Sequence, residues 1–209
     1  MAEPLARTLI ARLEAPLAAQ LRTARDLAGD RRPEPAPWGA AVPALAAALP
    51  AGLRRGTLTE LVGRRSSGRM GVVLGLLAAA TGGGECAALV DLGDALDPQQ
   101  AAATGVDLER LLWARPRDLR ETLAAAEAVV AGGFPLVIAD LGLPPIAGGV
   151  RGGDTPWLRL ARAAREAGAT LVVSTPARRC GIAATAVIEL PPARARWHGT
   201  PPGPRLLLR

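Results

Sequence analysis

Residues 57–81 read TLTELVGRRSSGRMGVVLGLLAAAT, and this stretch decides the fold of the 209-residue chain. Its first part, residues 58–62, is a short apolar run typical of a buried strand, and residues 72–80 form an apolar segment of helical character. Between them lies a loop that begins at Gly63 and ends at Gly68. Strand, glycine loop and helix in this order predict a phosphate-binding loop, in which backbone N–H groups and the helix dipole attract an anion.

The loop departs from the pattern G-x-x-x-x-G-K-[ST] at its two most informative positions. In that pattern the lysine reaches the outer phosphates and the hydroxyl binds Mg²⁺, whereas this chain has Arg69 and Met70 there. Arginine is a wide planar fork, and a thioether is a poor ligand for Mg²⁺. We therefore expect an NTPase scaffold that has lost hydrolysis and has no cofactor, with at most weak binding of a nucleotide or anion. The residues predicted to form this degenerate site are Gly63, Ser66, Ser67, Gly68, Arg69 and Met70.

The composition predicts one domain with a sizeable core and an accessory segment. All 25 basic side chains are arginine, which weakens any argument from a single missing lysine. The net charge of +6 permits contact with nucleic acid or with an acidic partner. Cys86 and Cys180 make neither a disulfide framework nor a metal site, and we expect both to be small buried residues in a reducing cytoplasm. No apolar run is long enough to span a bilayer, so the sequence predicts a soluble cytoplasmic protein.

Four segments follow from the pattern along the chain. They are an N-terminal helical arm (1–28), a proline-rich linker with a short helix (29–48), a core (49–190) and a short basic tail (191–209). Leucines recur every four residues in the arm, which indicates an amphipathic helix that packs on its own domain or docks on another chain. The residues predicted to bind a partner are Leu5, Leu9, Leu13, Leu17, Leu21, Trp38 and Trp197.

From residue 58 onward strands alternate with helices, which predicts an α/β fold with a mostly parallel sheet covered by helices. The predicted strands are 58–62, 87–91, 111–114, 136–140 and 170–174, with closing strands near 186–190 and 194–198. The predicted helices are 69–80, 98–104, 116–131 and 155–166, with a shorter one at 43–49.

The order of motifs resembles the ATPase core of the RecA recombinases. The motifs that carry the resemblance are Leu49-Pro50, GTLTE at 56–60, the glycine loop, Val90-Asp91, DALDP at 94–98, GVDL at 105–108 and Leu111-Leu112. The resemblance covers residues 49–190, about two-thirds of the chain. Within that superfamily the chain is most similar to the ImuA family, the RecA-like accessory proteins of bacterial mutagenic translesion-synthesis cassettes.

Carried across residue by residue, the resemblance implies that catalytic parts are missing. In RecA a glutamate that activates water follows the match to Asp91 by two residues, and Gly93 offers no carboxylate there. Asp140 ends the Walker-B-like run, where it is either a residual metal ligand or a strand-end cap. In RecA a DNA-binding loop follows the strand that corresponds to residues 170–174 of this chain. Here only residues 177–184 separate that strand from the next, so the loop is nearly deleted. We therefore expect DNA binding to be weak or indirect.

The arginines outside the loop have two interpretations. Either they are solvent-exposed side chains of an arginine-rich chain, or they contact phosphates or an acidic protein partner. The candidates for such contacts are Arg159, Arg162, Arg165, Arg178 and Arg179.

The resemblance implies an accessory role in SOS-induced translesion DNA synthesis. The implied partners are RecA and the inactive Y-family polymerase homologue of the same cassette, with nucleoid association through them and self-association left open. One rival is a divergent ATP- and DNA-binding recombinase paralogue in which Arg69 serves the phosphates; it needs another carboxylate in place of the missing one, and Asp94 is the nearest candidate. Another is a RecA-like protein of the cell-division-inhibitor type.

Overall fold

The computed structural model describes residues 37–49, 52–142, 153–192, 195–198 and 205–208. The predicted N-terminal arm, including its five leucines, lies outside the described residues.

Six parallel strands form the main sheet. They are β1 (Thr57–Gly63), β2 (Ala87–Asp91), β3 (Leu111–Ala114), β4 (Leu136–Asp140), β5 (Thr170–Thr175) and β6 (Ala186–Leu190). Their order across the sheet is β3-β2-β4-β5-β1-β6, and each neighbouring pair is parallel. The predicted α/β fold with a mostly parallel sheet is confirmed.

Helices connect these strands close to the predicted positions. They are α1 (Pro43–Ala48), α2 (Arg69–Gly82), α3 (Pro98–Ala103), α4 (Leu119–Ala131) and α5 (Thr155–Ala167). Helix α4 begins three residues later than predicted because the Asp118 carboxylate caps it, accepting a hydrogen bond of 2.7 Å from the backbone N–H of Glu121. Helix α5 ends at Gly168, whose φ of 67° is the left-handed conformation that stops a helix.

Helices cover both faces of the sheet. Leu136 and Ile138 of β4 belong to the core cluster that contains α2, whereas Val137 and Ala139 belong to the cluster that contains α4 and α5. This alternation follows from the two-residue period of a strand. Because both faces are covered, β2 and β4 are continuous apolar runs up to the aspartate that ends each strand.

Trp38 belongs to this core, which corrects the prediction that it is an interface anchor in an extended linker. Residues Pro37–Ala41 form a 3-10 helix, and the Trp38 side chain is 3% exposed in the cluster that contains α1 and α2. The Arg55 guanidinium lies 5.0 Å from the centre of the indole ring, at a distance that favours a cation–π contact. A side chain buried in this way cannot also anchor a partner on the surface.

The tail contains a small sheet of its own. Strands β7 (Ala195–His198) and β8 (Arg205–Leu208) pair antiparallel, with Trp197 opposite Leu206. The predicted strand near 194–198 therefore exists, but it pairs with β8 and does not close the main sheet. Strand β8 was not predicted.

Among the described residues, no helix combines the length and the apolar character that a bilayer crossing requires.

Candidate functional site

The glycine loop joins β1 to α2 at the carboxyl edge of the sheet. Gly68 is the N-cap residue of α2 with a φ of 82°, and no side chain caps the helix. Ser66 also has a positive φ, of 62°. The uncapped first turn of α2 keeps backbone N–H groups directed at the loop, as anion binding requires.

A cavity of about 530 Å³ lies against this loop. The predicted loop residues Ser66, Ser67, Gly68, Arg69 and Met70 line it, together with Gly93 and Asp140. Gly63 is the exception: it ends β1 and does not line the cavity. A Cβ atom at Gly63 would stand 2.2 Å from the hydroxyl oxygen of Ser67, so the loop packs closely against this position.

Arg69 is buried, and its guanidinium donates hydrogen bonds to residues at the ends of β4 and β5. Its Nη1 donates to Oδ1 of Asp140 at 2.9 Å and to the hydroxyl oxygen of Ser174 at 3.0 Å. Its Nη2 donates to the carbonyl oxygen of Gly142 at 2.7 Å. The arginine at the lysine position of the loop therefore forms an ion pair with the carboxylate of the Walker-B-like strand.

Asp140 uses both carboxylate oxygens within this cluster. Besides the Arg69 contact, Oδ1 accepts a hydrogen bond of 2.6 Å from the Ser174 hydroxyl, and Oδ2 accepts one of 3.1 Å from the Gly142 N–H. Burial raises the pKa of Asp140, and the opposing influences are Arg69 first, then Ser174 and the Gly142 N–H. The Gly142 contact is the local cap that the sequence allowed for Asp140, whereas the ion pair was not foreseen.

Asp91 ends β2 directly opposite Asp140 in the register of the sheet. Its Oδ2 accepts hydrogen bonds from the N–H groups of Ala95 and Leu96, at 2.8 and 3.0 Å, and from the indole N–H of Trp113 at 3.3 Å. Asp91 therefore holds the turn that follows β2, in which Gly93 lies.

Gly93 has no room for a side chain. A Cβ atom at this position would lie 2.7 Å from Cα of Gly142, because the segments that follow β2 and β4 touch here. The neighbouring Asp94 has a φ of 48°, and its carboxylate pairs with Arg115 at the surface. Asp94, the nearest candidate for the carboxylate that the recombinase rival requires, thus pairs with Arg115 in an exposed ion pair.

Four of the other predicted arginines are exposed and Arg179 is half-buried; three of the exposed ones pair with glutamates. Arg159 contacts Glu127 at 2.9 Å, Arg162 contacts Glu166 at 2.8 Å, and Arg178 contacts Glu189 at 2.9 Å. Arg165 is exposed on α5. The backbone N–H of Arg179 donates to the buried Glu60 carboxylate.

Several residues of the site were missed from the sequence. Ser174 and Gly142 complete the Arg69 cluster, and a polar residue at the end of the buried strand β5 was the available signal for Ser174. Cys180 is buried, which raises the pKa of its thiol, but Cys86 is exposed, contrary to prediction. Within the described part of the chain, no group of His, Cys, Asp and Glu side chains is arranged to hold a metal ion.

A parallel sheet with a glycine loop after its first strand and a carboxylate at the end of β4 defines a protein of the phosphate-binding-loop class. The family model of the RecA N-terminal domain matches residues 38–143, about half of the chain. The chain belongs to this family.

Relatives named RecA match a part of the chain. The RecA protein of Clostridium acetobutylicum is 40% identical over 90 residues, and that of Symbiobacterium thermophilum is 41% identical over 90 residues. Each match covers 43% of this chain and 26% of the relative. The chain thus matches about a quarter of the length of these relatives, and the predicted RecA resemblance is confirmed at the level of the superfamily.

Proposed function

We propose that this chain is a non-catalytic RecA-like accessory protein of the ImuA type, which acts in SOS-induced translesion DNA synthesis. The observation that carries the proposal is the buried ion pair between Arg69 and Asp140. In an active loop the lysine reaches the phosphates and a Walker-B aspartate helps to hold Mg²⁺. Here the corresponding cation and carboxylate are engaged with each other.

The residues around this pair do not fit a magnesium nucleotide. Both oxygens of Asp140 already accept hydrogen bonds, and Met70 offers a thioether where Mg²⁺ prefers oxygen. Gly93 supplies no general base, and its contact with Gly142 leaves no space for one. These features support a scaffold that retains the RecA-like fold without nucleotide hydrolysis.

The proposed partners are RecA and the inactive Y-family polymerase homologue of the same cassette. A RecA-like core supports contact with RecA, because related cores can pack against one another in an assembly. The short connection between β5 and β6 supports weak or indirect contact with DNA, since it leaves little chain for a DNA-binding loop. The protein would act in the cytoplasm and reach the nucleoid through these partners.

A pull-down with RecA tests the proposal through the N-terminal arm. If the leucine stripe of the arm is the contact, the double variant Leu9→Asp/Leu13→Asp should lose RecA binding, because two charges would enter an apolar interface. The matched control is Ala11→Asp/Ala15→Asp, which places the same charges at the same spacing on the opposite side of the predicted helix. The control should bind RecA as the unmodified chain does.

Equal capture of RecA by both double variants and the unmodified chain would contradict the arm as the contact. Failure of the unmodified full-length chain to capture either RecA or the polymerase homologue would contradict the proposed function itself.

A further inference from the structure

A second concave surface lies beside the loop, at the carboxyl ends of β1, β5 and β6. It is a groove of about 650 Å³, within the range of roughly 300–1,000 Å³ typical of ligand clefts. Its apolar lining includes Val62, Leu190, Pro176, Pro191 and Pro192. Ligands of open α/β sheets bind outside the carboxyl ends of the strands, which is where this groove lies.

The wall of the groove that follows β5 is held in place by three hydrogen bonds. The Thr175 hydroxyl donates to the carbonyl oxygen of Ala177 at 2.8 Å. The buried Glu60 carboxylate accepts hydrogen bonds from the backbone N–H groups of Arg179 and Cys180. Because this wall is already ordered, ligand binding costs little conformational entropy there.

The charges of the groove favour an anionic ligand. Arg64 lines it, is exposed, and has no ion-pair partner within the described residues. Arg178 and Glu189 also line it and pair with each other at 2.9 Å, with 65% and 61% of their side chains exposed. Since exposed ion pairs contribute little to stability, an incoming carboxylate can replace Glu189 as the partner of Arg178.

We propose that this groove binds an acidic peptide segment with aliphatic side chains. Carboxylates of the peptide contact Arg64 and Arg178, and its aliphatic side chains lie on the proline and leucine lining. Among the described residues that line the groove none is aromatic, so they offer no base-stacking platform to a single strand of nucleic acid. The groove shares only Arg64 with the cavity at the glycine loop, and the inference needs neither Arg69 nor the arm, so it stands apart from the proposed function.

Fluorescence anisotropy of the full-length chain with a labelled peptide, Gly-Asp-Leu-Asp-Leu-Asp-Leu-Gly, tests the proposal. We expect saturable binding that Arg178→Ala and Arg64→Ala each weaken by about two- to fivefold, because each removes an exposed ion pair. Glu189→Gln is expected to tighten binding by a similar factor of about two to five, because it removes the competing carboxylate. The opposite signs at Arg178 and Glu189 separate this mechanism from loss of structure.

Control variants and control probes complete the experiment. Arg162→Ala and Glu166→Gln alter an equivalent exposed pair on α5 and should leave peptide affinity unchanged. A peptide with lysine in place of aspartate should bind more weakly to the unmodified chain and should bind Glu189→Gln more weakly still. Equal binding of both peptides, a weaker complex with Glu189→Gln, or saturable binding of oligothymidylate in place of the acidic peptide would overturn the proposal.

Discussion

Replacement of Arg69 by alanine is expected to destabilise the protein by about 3–5 kcal/mol, because it leaves the Asp140 carboxylate buried without its cation. Arg69 is 8% exposed and Asp140 is 1% exposed, so water cannot take over the lost contacts. Urea unfolding followed by tryptophan fluorescence, to which the buried Trp38 and Trp157 contribute, measures the change in the free energy of unfolding.

Two further variants distinguish loss of the ion pair from loss of bulk at position 69. The double variant Arg69→Met/Asp140→Leu should recover most of the stability, because it removes both charges from the interior. Arg162→Ala, which breaks an exposed pair, should cost less than about 1 kcal/mol. If Arg69→Ala lowered the free energy of unfolding by as little as Arg162→Ala does, the buried contacts of Arg69 with Asp140 and Ser174 would be contradicted.

The effect of Arg69→Ala should also depend on pH. Burial already raises the pKa of Asp140 above its ordinary value of 3.8, and loss of Arg69 removes the largest opposing influence. A carboxyl group with a raised folded-state pKa contributes stability that is fully present below its unfolded pKa and is lost as pH rises through the folded pKa. The difference in the free energy of unfolding between Arg69→Ala and the unmodified chain should therefore become smaller as the pH is lowered toward 3.8.

Restoration of the missing carboxylate by Gly93→Glu is expected to damage the fold without creating an ATPase. Any Cβ atom at this position lies 2.7 Å from the Gly142 Cα, so backbone must move before a side chain can fit. Even Gly93→Ala should cost about 1–3 kcal/mol, the usual range for overpacking a tight interior. Urea unfolding of both variants gives the cost, and a phosphate-release assay with ATP and Mg²⁺ tests for activity.

Gly71→Ala is the matched control, because a Cβ atom at Gly71 meets nothing within 4 Å and the residue lies in helix α2. This substitution should stabilise the protein by about 0.5–1 kcal/mol, since glycine is unfavourable in a helix. If Gly93→Ala were as stable as Gly71→Ala, or if Gly93→Glu released phosphate, the tight packing of Gly93 on Gly142 would be refuted.

The fold could be predicted from the sequence because its signals are local. Apolar runs that end in Gly63, Asp91 and Asp140 mark buried strands, and the helices follow at the predicted positions within a few residues. Trp38 was misplaced because a proline-rich sequence around it resembles a linker, and only tertiary contacts show that it packs against α2. Strand β8 is short and pairs with another short strand, so its apolar pattern carried little information.

The Arg69 cluster could not be predicted for a different reason. Asp140 is 71 residues from Arg69 in the sequence, and Ser174 is 105 residues from it. These residues meet because β5 lies between β1 and β4 in the sheet, an order that the strand pattern alone does not specify. The substitution of Arg69 for lysine was visible in the sequence, but its partner could be identified only from the fold.

Calorimetric titration of the full-length chain with ATP and Mg²⁺ tests most directly whether the loop still serves a nucleotide. A catalytically active RecA relative, titrated under the same conditions, serves as the positive control. Because Arg69 and Asp140 are engaged with each other and Met70 replaces the Mg²⁺ ligand, we predict no saturable heat from this chain. Saturable binding of one nucleotide per chain would contradict the account, since it would require Arg69 to leave Asp140 for the phosphates.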